Sequence, residues 1–240
     1  MGACALTLII GAVCEDGVLI AADSKVVHGN SAHFETKIHV VQDVVFAASG
    51  FTGLTDDFAD YFQAELKSQG RGAGVDTVIQ VKMMVEDILH QLWTRYKEGL
   101  GEEHSSLEVL LAAREQVRSG PSRLYHFEGG MRYGERMRTS GCIGSGADAA
   151  AAVWPFVFEP HLTMEDAARR AAFTIGWVAD EVDRNVGGVP DVTMLPNAGQ
   201  GKDAVQWWGR EGLAKGEFDR GKQQRNNLRE LFAHAHTSAV

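Results

Sequence analysis

Four short, almost unbroken apolar runs crowd into the first fifty positions: Leu8 to Val13, Val18 to Ala22, Lys37 to Val41 and Val44 to Ala48. Runs this short read as strands, and strands apolar at every position belong to sheets covered on both faces. Glu15, Asp16 and Gly17 join the first pair, and Asp-Gly between β-prone runs is the strongest short hairpin signal. Gln42 and Asp43 join the second pair in the same way. The chain therefore opens with two antiparallel hairpins that need helices to cover them.

Beyond residue 50 the apolar period changes. Leu54, Phe58, Tyr61 and Leu66, then Val78, Val81, Val85, Ile88 and Leu92, recur at three and four, the spacing of two amphipathic helices. Glu108 to Arg114 and Arg123 to Phe127 read as strands around a Ser119-Gly120-Pro121 turn, and Gly141 to Gly146 as a glycine-rich bend leading into a helix. Thr163 with Asp166 forms a capping pair before the face Met164, Ala168, Ala171, Ile175, Val178 and Val182, which Gly187 and Gly188 terminate. Asp191 to Leu195 is a last strand, and a charged tail from about Gly212 contains a predicted helix over Leu228 to Ala235. No linker divides this order. Segregated strands and helices predict one α+β domain with an antiparallel sheet and helices packed outside it; a four-layer sandwich, two sheets between helix pairs, accounts for the apolar share of both.

Charge and cysteine usage narrow the function classes. Twenty-three Lys and Arg against 32 Asp and Glu give a net charge of -9 with no basic run, which argues against nucleic-acid and anionic-membrane partners. Cys4, Cys14 and Cys142 are odd in number and lack CxxC spacing, so neither a disulfide framework nor a structural zinc site is expected, and a reducing cytoplasm fits best. The apolar start MGACALTLIIGAV lacks a basic region and is interrupted by Glu15 and Asp16, so a signal peptide or membrane span is not expected. His28, His33 and His39, like His234 and His236, cluster without a completing carboxylate or cysteine, and no metal or cofactor is expected. Trp207 and Trp208 read as packing residues.

Thr7-Leu-Ile-Ile-Gly11 followed by Asp16-Gly17-Val-Leu-Ile-Ala-Ala-Asp23-Ser24 resembles the opening of proteasome β-subunits, the N-terminal-nucleophile threonine proteases. The resemblance continues through His28-Gly29-Asn30, Lys37-Ile38, Ala48-Ser49-Gly50, Gly144-Ser145-Gly146, and Asp183 ahead of Gly187-Gly188, spanning about residues 7 to 195. It implies the αββα sandwich of that fold, a leader at residues 1–6, a hydrolase domain at 7–211 and a C-terminal extension at 212–240. A threonine hydroxyl is a poor nucleophile at neutral pH, and a threonine at a free N-terminus carries the needed base in its own α-amine. The resemblance makes Thr7 the nucleophile, Lys37 the cation that depresses the amine's pKa, Asp23 its carboxylate partner and Gly50 the backbone oxyanion donor. It adds Ser145 and Asp183 as supports for the threonine, and Val26, Glu35, Ala48 and Thr52 as walls of the first specificity pocket, where Glu35 suggests a basic side chain.

By the same resemblance the partners are identical or related subunits in a ring, a peptide or unfolded-protein substrate and a regulatory ATPase. Leu6 stands where autoprocessed members carry glycine, and Val186 where many active ones carry serine. Two alternatives follow: an unprocessed, non-catalytic ring or scaffold subunit, and a small-amide hydrolase or acyltransferase of the same fold.

Overall fold

The computed structural model describes residues 7–28, 31–69, 77–100, 107–116, 119–128, 133–198 and 205–208, with positions 216, 219, 220 and 223. Residues 1–6 with Cys4, Gly29 and Asn30, and the tail helix expected at 228–235 lie outside the described residues.

Two five-stranded antiparallel sheets form the centre. The first has the order β10(Ser140–Ile143), β1(Ile9–Val13), β2(Gly17–Ala22), β11(Asp191–Pro196), β12(Gln206–Trp208). The second runs β5(Ile38–Val41), β6(Val44–Gly50), β7(Leu107–Gln116), β8(Ser119–Phe127), β9(Glu135–Met137). A small ribbon of β3(Lys25–His28) and β4(Ser31–Phe34) stands apart. The expected hairpins close with Val13 opposite Val18 and Val41 opposite Val44.

Alternation along each strand explains why the runs are apolar throughout. Val18, Ile20 and Ala22 of β2 join Val45 and Ala47 of β6 and Leu110 and Ala112 of β7 in a core between the sheets. Leu19 and Ala21 point the other way, into a core with Ala168, Ala171, Ile175 and Val178 of α5(Met164–Glu181). Likewise Val44 and Phe46 face Phe58 and Phe62 of α1(Thr52–Gln69) and Val81 and Val85 of α2(Val78–Leu100). β2 and β6 are thus packed on both faces, and the layers run helix, sheet, sheet, helix, with short α3(Ala147–Ala151) and α4(Trp154–Val157) beside α5.

Thr163 caps α5, its side chain accepting from Asp166 N at 3.2 Å, while Asp16 Oδ1 accepts from Met164 N at 2.7 Å and ties the first hairpin to the helix start. The sequence reading needs correction at two turns. Ser119 to Pro121 belong to β8, with Ser119 opposite Gln116 and a register shift between Arg114 and Gln116, because pairing with β7 overrides their turn composition. Gly141 to Ile143 continue β10 as the edge partner of β1, so only Gly144 to Gly146 form the bend. The ribbon, β9 and β12 have too few residues and too little alternation to register as strands in the sequence. Among the described residues no helix is long and apolar enough to cross a membrane.

Candidate active site

Thr7 precedes β1, Asp23 follows β2, Lys37 precedes β5, and Ser145 sits between β10 and α3. Pairing of β1 with β2 places Ile9 opposite Ala22, so the residues just outside both strand ends, Thr7 and Asp23, share one rim of the sandwich. Lys37 reaches that rim from the second sheet. Its Nζ donates to Thr7 Oγ1 at 3.0 Å and to Asp23 Oδ1 at 2.8 Å. All three side chains are buried, with Thr7 at 1%, Asp23 at 0% and Lys37 at 9% exposure, so their mutual interactions are little screened by water.

Asp23 is a fully occupied acceptor. Besides Lys37, Oδ1 takes Leu8 N–H at 2.9 Å, and Oδ2 takes Gly187 N–H at 3.1 Å and Lys25 N–H at 3.3 Å. Burial pushes its carboxyl pKa up, against the pull of Lys37 and of the Leu8 and Gly187 amides. Burial pushes the Lys37 ammonium down, against the pull of Asp23 and Glu35. The pair is held in one orientation, which leaves the Lys37 charge directed at the Thr7 hydroxyl.

The other side of Thr7 is held by the bend. Its N–H donates to Ser145 Oγ at 3.0 Å, Ser145 Oγ donates to Thr7 O at 3.4 Å, and Gly146 N–H donates to the same carbonyl at 3.2 Å. Gly144 has φ +93, and a Cβ there would stand 2.3 Å from Thr7 O, so only glycine lets the bend press against the threonine. Gly50 ends β6, opposite Leu107. Asp183 lies one step back: its Oδ1 accepts from Asn185 N at 2.9 Å and Asn185 Nδ2 at 3.0 Å, shaping the turn that delivers Gly187 to Asp23. Val186 is buried in the core under α5.

A cavity of about 160 Å³ opens beside Thr7, and Val26, Glu35, Ala48 and Thr52 all line it. His39 and Asp56 line it too, and sequence reasoning missed both. Asp56 sits on α1, where its acidity marks only a polar helix face, and His39 alternates along β5 like any strand residue. Burial pushes the Asp56 carboxyl up, with Glu35, Asp60 and Asp57 adding to the effect. Burial pushes His39 down, against Asp56, Asp60 and Glu35, so the ring is neutral at neutral pH and the cavity carries negative charge. A larger cavity of about 560 Å³ lies between α1 and α2, but its lining, including Tyr61, Met83 and Arg95, has no nucleophile paired with a base. Cys14 and Cys142 are pushed up to about 12 by burial, which leaves both thiols inert. Among the described residues no three His, Cys, Asp or Glu converge to hold a metal ion.

Two antiparallel sheets between helical layers, with a threonine, a lysine and an aspartate meeting at one rim, define the N-terminal-nucleophile hydrolase fold. The chain belongs to the proteasome subunit family, whose family model matches residues 7–189. No curated protein sequence matches it. Among solved structures it resembles Anbu (ancestral beta-subunit) from Yersinia bercovieri, with TM-score 0.76 and 15% identity over 94% of this chain and 96% of that one. It also resembles an Anbu (Gly-1) mutant from Hyphomicrobium sp. strain MC1, with TM-score 0.72 and 12% identity over 96% of this chain and 99% of that one. At these identities the likeness is one of fold.

Proposed function

We propose that this chain is a proteasome-type threonine peptidase that cuts peptide bonds with Thr7 after cleavage between Leu6 and Thr7 frees its amine. The observation that carries the reading is the buried contact of Lys37 Nζ with both Thr7 Oγ1 and Asp23 Oδ1. While Leu6 is attached, the Thr7 nitrogen is an amide and no base. Once free, it takes the hydroxyl proton as Thr7 Oγ1 attacks the substrate carbonyl carbon, with the Lys37 charge stabilising the developing alkoxide. Gly50 N–H receives the oxyanion. The C–N bond then breaks, the leaving amine takes the proton held by the Thr7 amine, and water hydrolyses the resulting ester. Ser145 orients the amine, and Asp183 acts through the turn that it braces.

The protein works in the cytoplasm within a ring of identical or related subunits, on peptides or unfolded protein supplied by a regulatory ATPase. Intact-mass measurement of the purified protein tests the central step: loss of Met1 to Leu6 is the expected result. A second reading, the silent ring subunit, draws on Leu6 and on Val186, whose buried apolar side chain supplies no hydroxyl to the threonine. A retained leader with no peptide turnover would favour it, and turnover of small amides but not peptides would favour the small-amide alternative.

The negative cavity supports a substrate preference. Glu35 and Asp56 face a neutral His39, so a cationic side chain entering beside Thr7 relieves their mutual repulsion. Peptides with Arg or Lys before the scissile bond should show kcat/KM about tenfold above those with Leu or Asp, and Asp56→Asn should lower that ratio. Faster cleavage after Leu or Asp would reject the preference.

A further inference from the structure

We propose that Glu108 is a positioning residue that latches the Gly144-Ser145-Gly146 bend to the second sheet and so fixes the two groups that hold Thr7. The kinetic consequence rests on the peptidase reading above; the latch itself does not.

Glu108 is the second residue of β7, opposite Ser49 of β6, and is the one acidic residue in the otherwise apolar stretch Leu107 to Ala113. Its Oε2 accepts from Gly144 N–H at 3.0 Å. Gly144 follows β10, the edge strand of the other sheet, so this single carboxylate joins the two sheets at the rim where Thr7 sits. The bend it holds is pressed close: a Cβ on Gly144 would stand 2.9 Å from Ser49 Oγ as well as 2.3 Å from Thr7 O. The next two residues supply the Ser145 hydroxyl and the Gly146 N–H that bind Thr7 on both sides of its Cα. A displacement of Gly144 therefore moves the donors and acceptor around the nucleophile.

The second oxygen, Oε1, lies 3.6 Å from Nε2 of His126 on β8. His126 and the Gly144 amide hold the Glu108 carboxyl below the usual carboxylate range. At neutral pH both Glu108 oxygens are thus acceptors, and Oε2 takes the Gly144 amide. A strand-end glutamate whose only role is solubility would need none of these contacts.

Hydrogen exchange read by mass spectrometry on the wild type, Glu108→Ala and Glu108→Gln decides the matter. In Glu108→Ala the amides of 144–146 should exchange about tenfold faster, the equivalent of one lost hydrogen bond, while β6 and β7 keep their protection. Glu108→Gln retains an acceptor oxygen and should stay within about twofold of the wild type. Peptide kinetics should follow: kcat about tenfold lower in Glu108→Ala with KM little changed, and near normal in Glu108→Gln. Unchanged exchange of the bend in Glu108→Ala, or a Glu108→Gln variant as impaired as the alanine, would overturn the proposal. Should the alanine variant fail to fold, Glu108→Asp, one methylene too short to reach, takes its place against Glu108→Gln with the same expectations. A wild type without peptide turnover would sink the peptidase reading, while the exchange data still decide the latch.

Discussion

Thr7→Ala keeps Met1 to Leu6 attached and cleaves peptides at least about 10³-fold more slowly than the wild type, with its melting temperature little changed. The size of the loss follows from the site. In the proposed mechanism one hydroxyl performs both reactions: it attacks the Leu6 carbonyl in the N-to-O acyl shift that frees the amine, and afterwards attacks the substrate. Alanine removes both at once. The fold survives because Lys37 keeps its 2.8 Å bond to Asp23 when Thr7 Oγ1 is gone. Intact mass and fluorogenic peptide assay check the two halves separately. Peptide cleavage that survives the substitution removes Thr7 from the mechanism. Replacing Leu6 by Gly separates a slow leader from an absent mechanism, because glycine tolerates the strained conformation that brings the hydroxyl onto the preceding carbonyl.

Lys37→Met has the second large effect, on stability as well as activity. Methionine matches the stem of lysine but leaves the fully buried Asp23 carboxylate without its counter-charge, and breaking a buried pair in this way costs about 3–5 kcal/mol. Three backbone amides still solvate Asp23, which places the expected loss near the lower end of that range. The loss depends on pH. Burial already raises the Asp23 carboxyl pKa, and removing Lys37 raises it further. A carboxyl with a folded pKa above its unfolded value binds its proton more tightly in the native state, so stability falls as pH rises through that interval. The deficit against wild type should therefore narrow as pH drops toward the carboxylate range, where Asp23 becomes neutral. Urea unfolding of both proteins at two pH values measures it, and a deficit that widens on acidification contradicts the buried pair. Peptide turnover should fall about 10²-fold or more, since the charge facing the Thr7 hydroxyl is gone.

Much of the framework was legible in the sequence because local rules govern it. Asp16-Gly17 between apolar runs marks the first hairpin, Thr163 with Asp166 marks the start of α5, and the spacing from Val78 to Leu92 marks α2. Turn placement was less legible. Ser119-Gly120-Pro121 has turn composition but sits in β8, where a register shift absorbs it, and Gly141 has loop composition but pairs with Gly11 in β10. In both cases hydrogen bonding to a neighbouring strand overrides local propensity.

The site divides in the same way. The resemblance to the opening of proteasome β-subunits brought Thr7, Asp23, Lys37, Gly50 and Ser145 forward as candidates, and the apolar pattern set each at a strand end or bend. Which groups touch Thr7, and from which side, depends on how two sheets stack. That is why Glu108, thirty-six positions from Gly144, could not be read as its partner. It is also why Asp56 and His39, polar residues on an ordinary helix and strand, emerge beside Glu35 only in the assembled cavity. The sequence by itself determined the longer strands and helices and the chemistry available, because those follow from period and residue type. Only the tertiary structure decided the charge lining the pocket and the donors around the nucleophile, because those depend on distances between segments far apart in the chain.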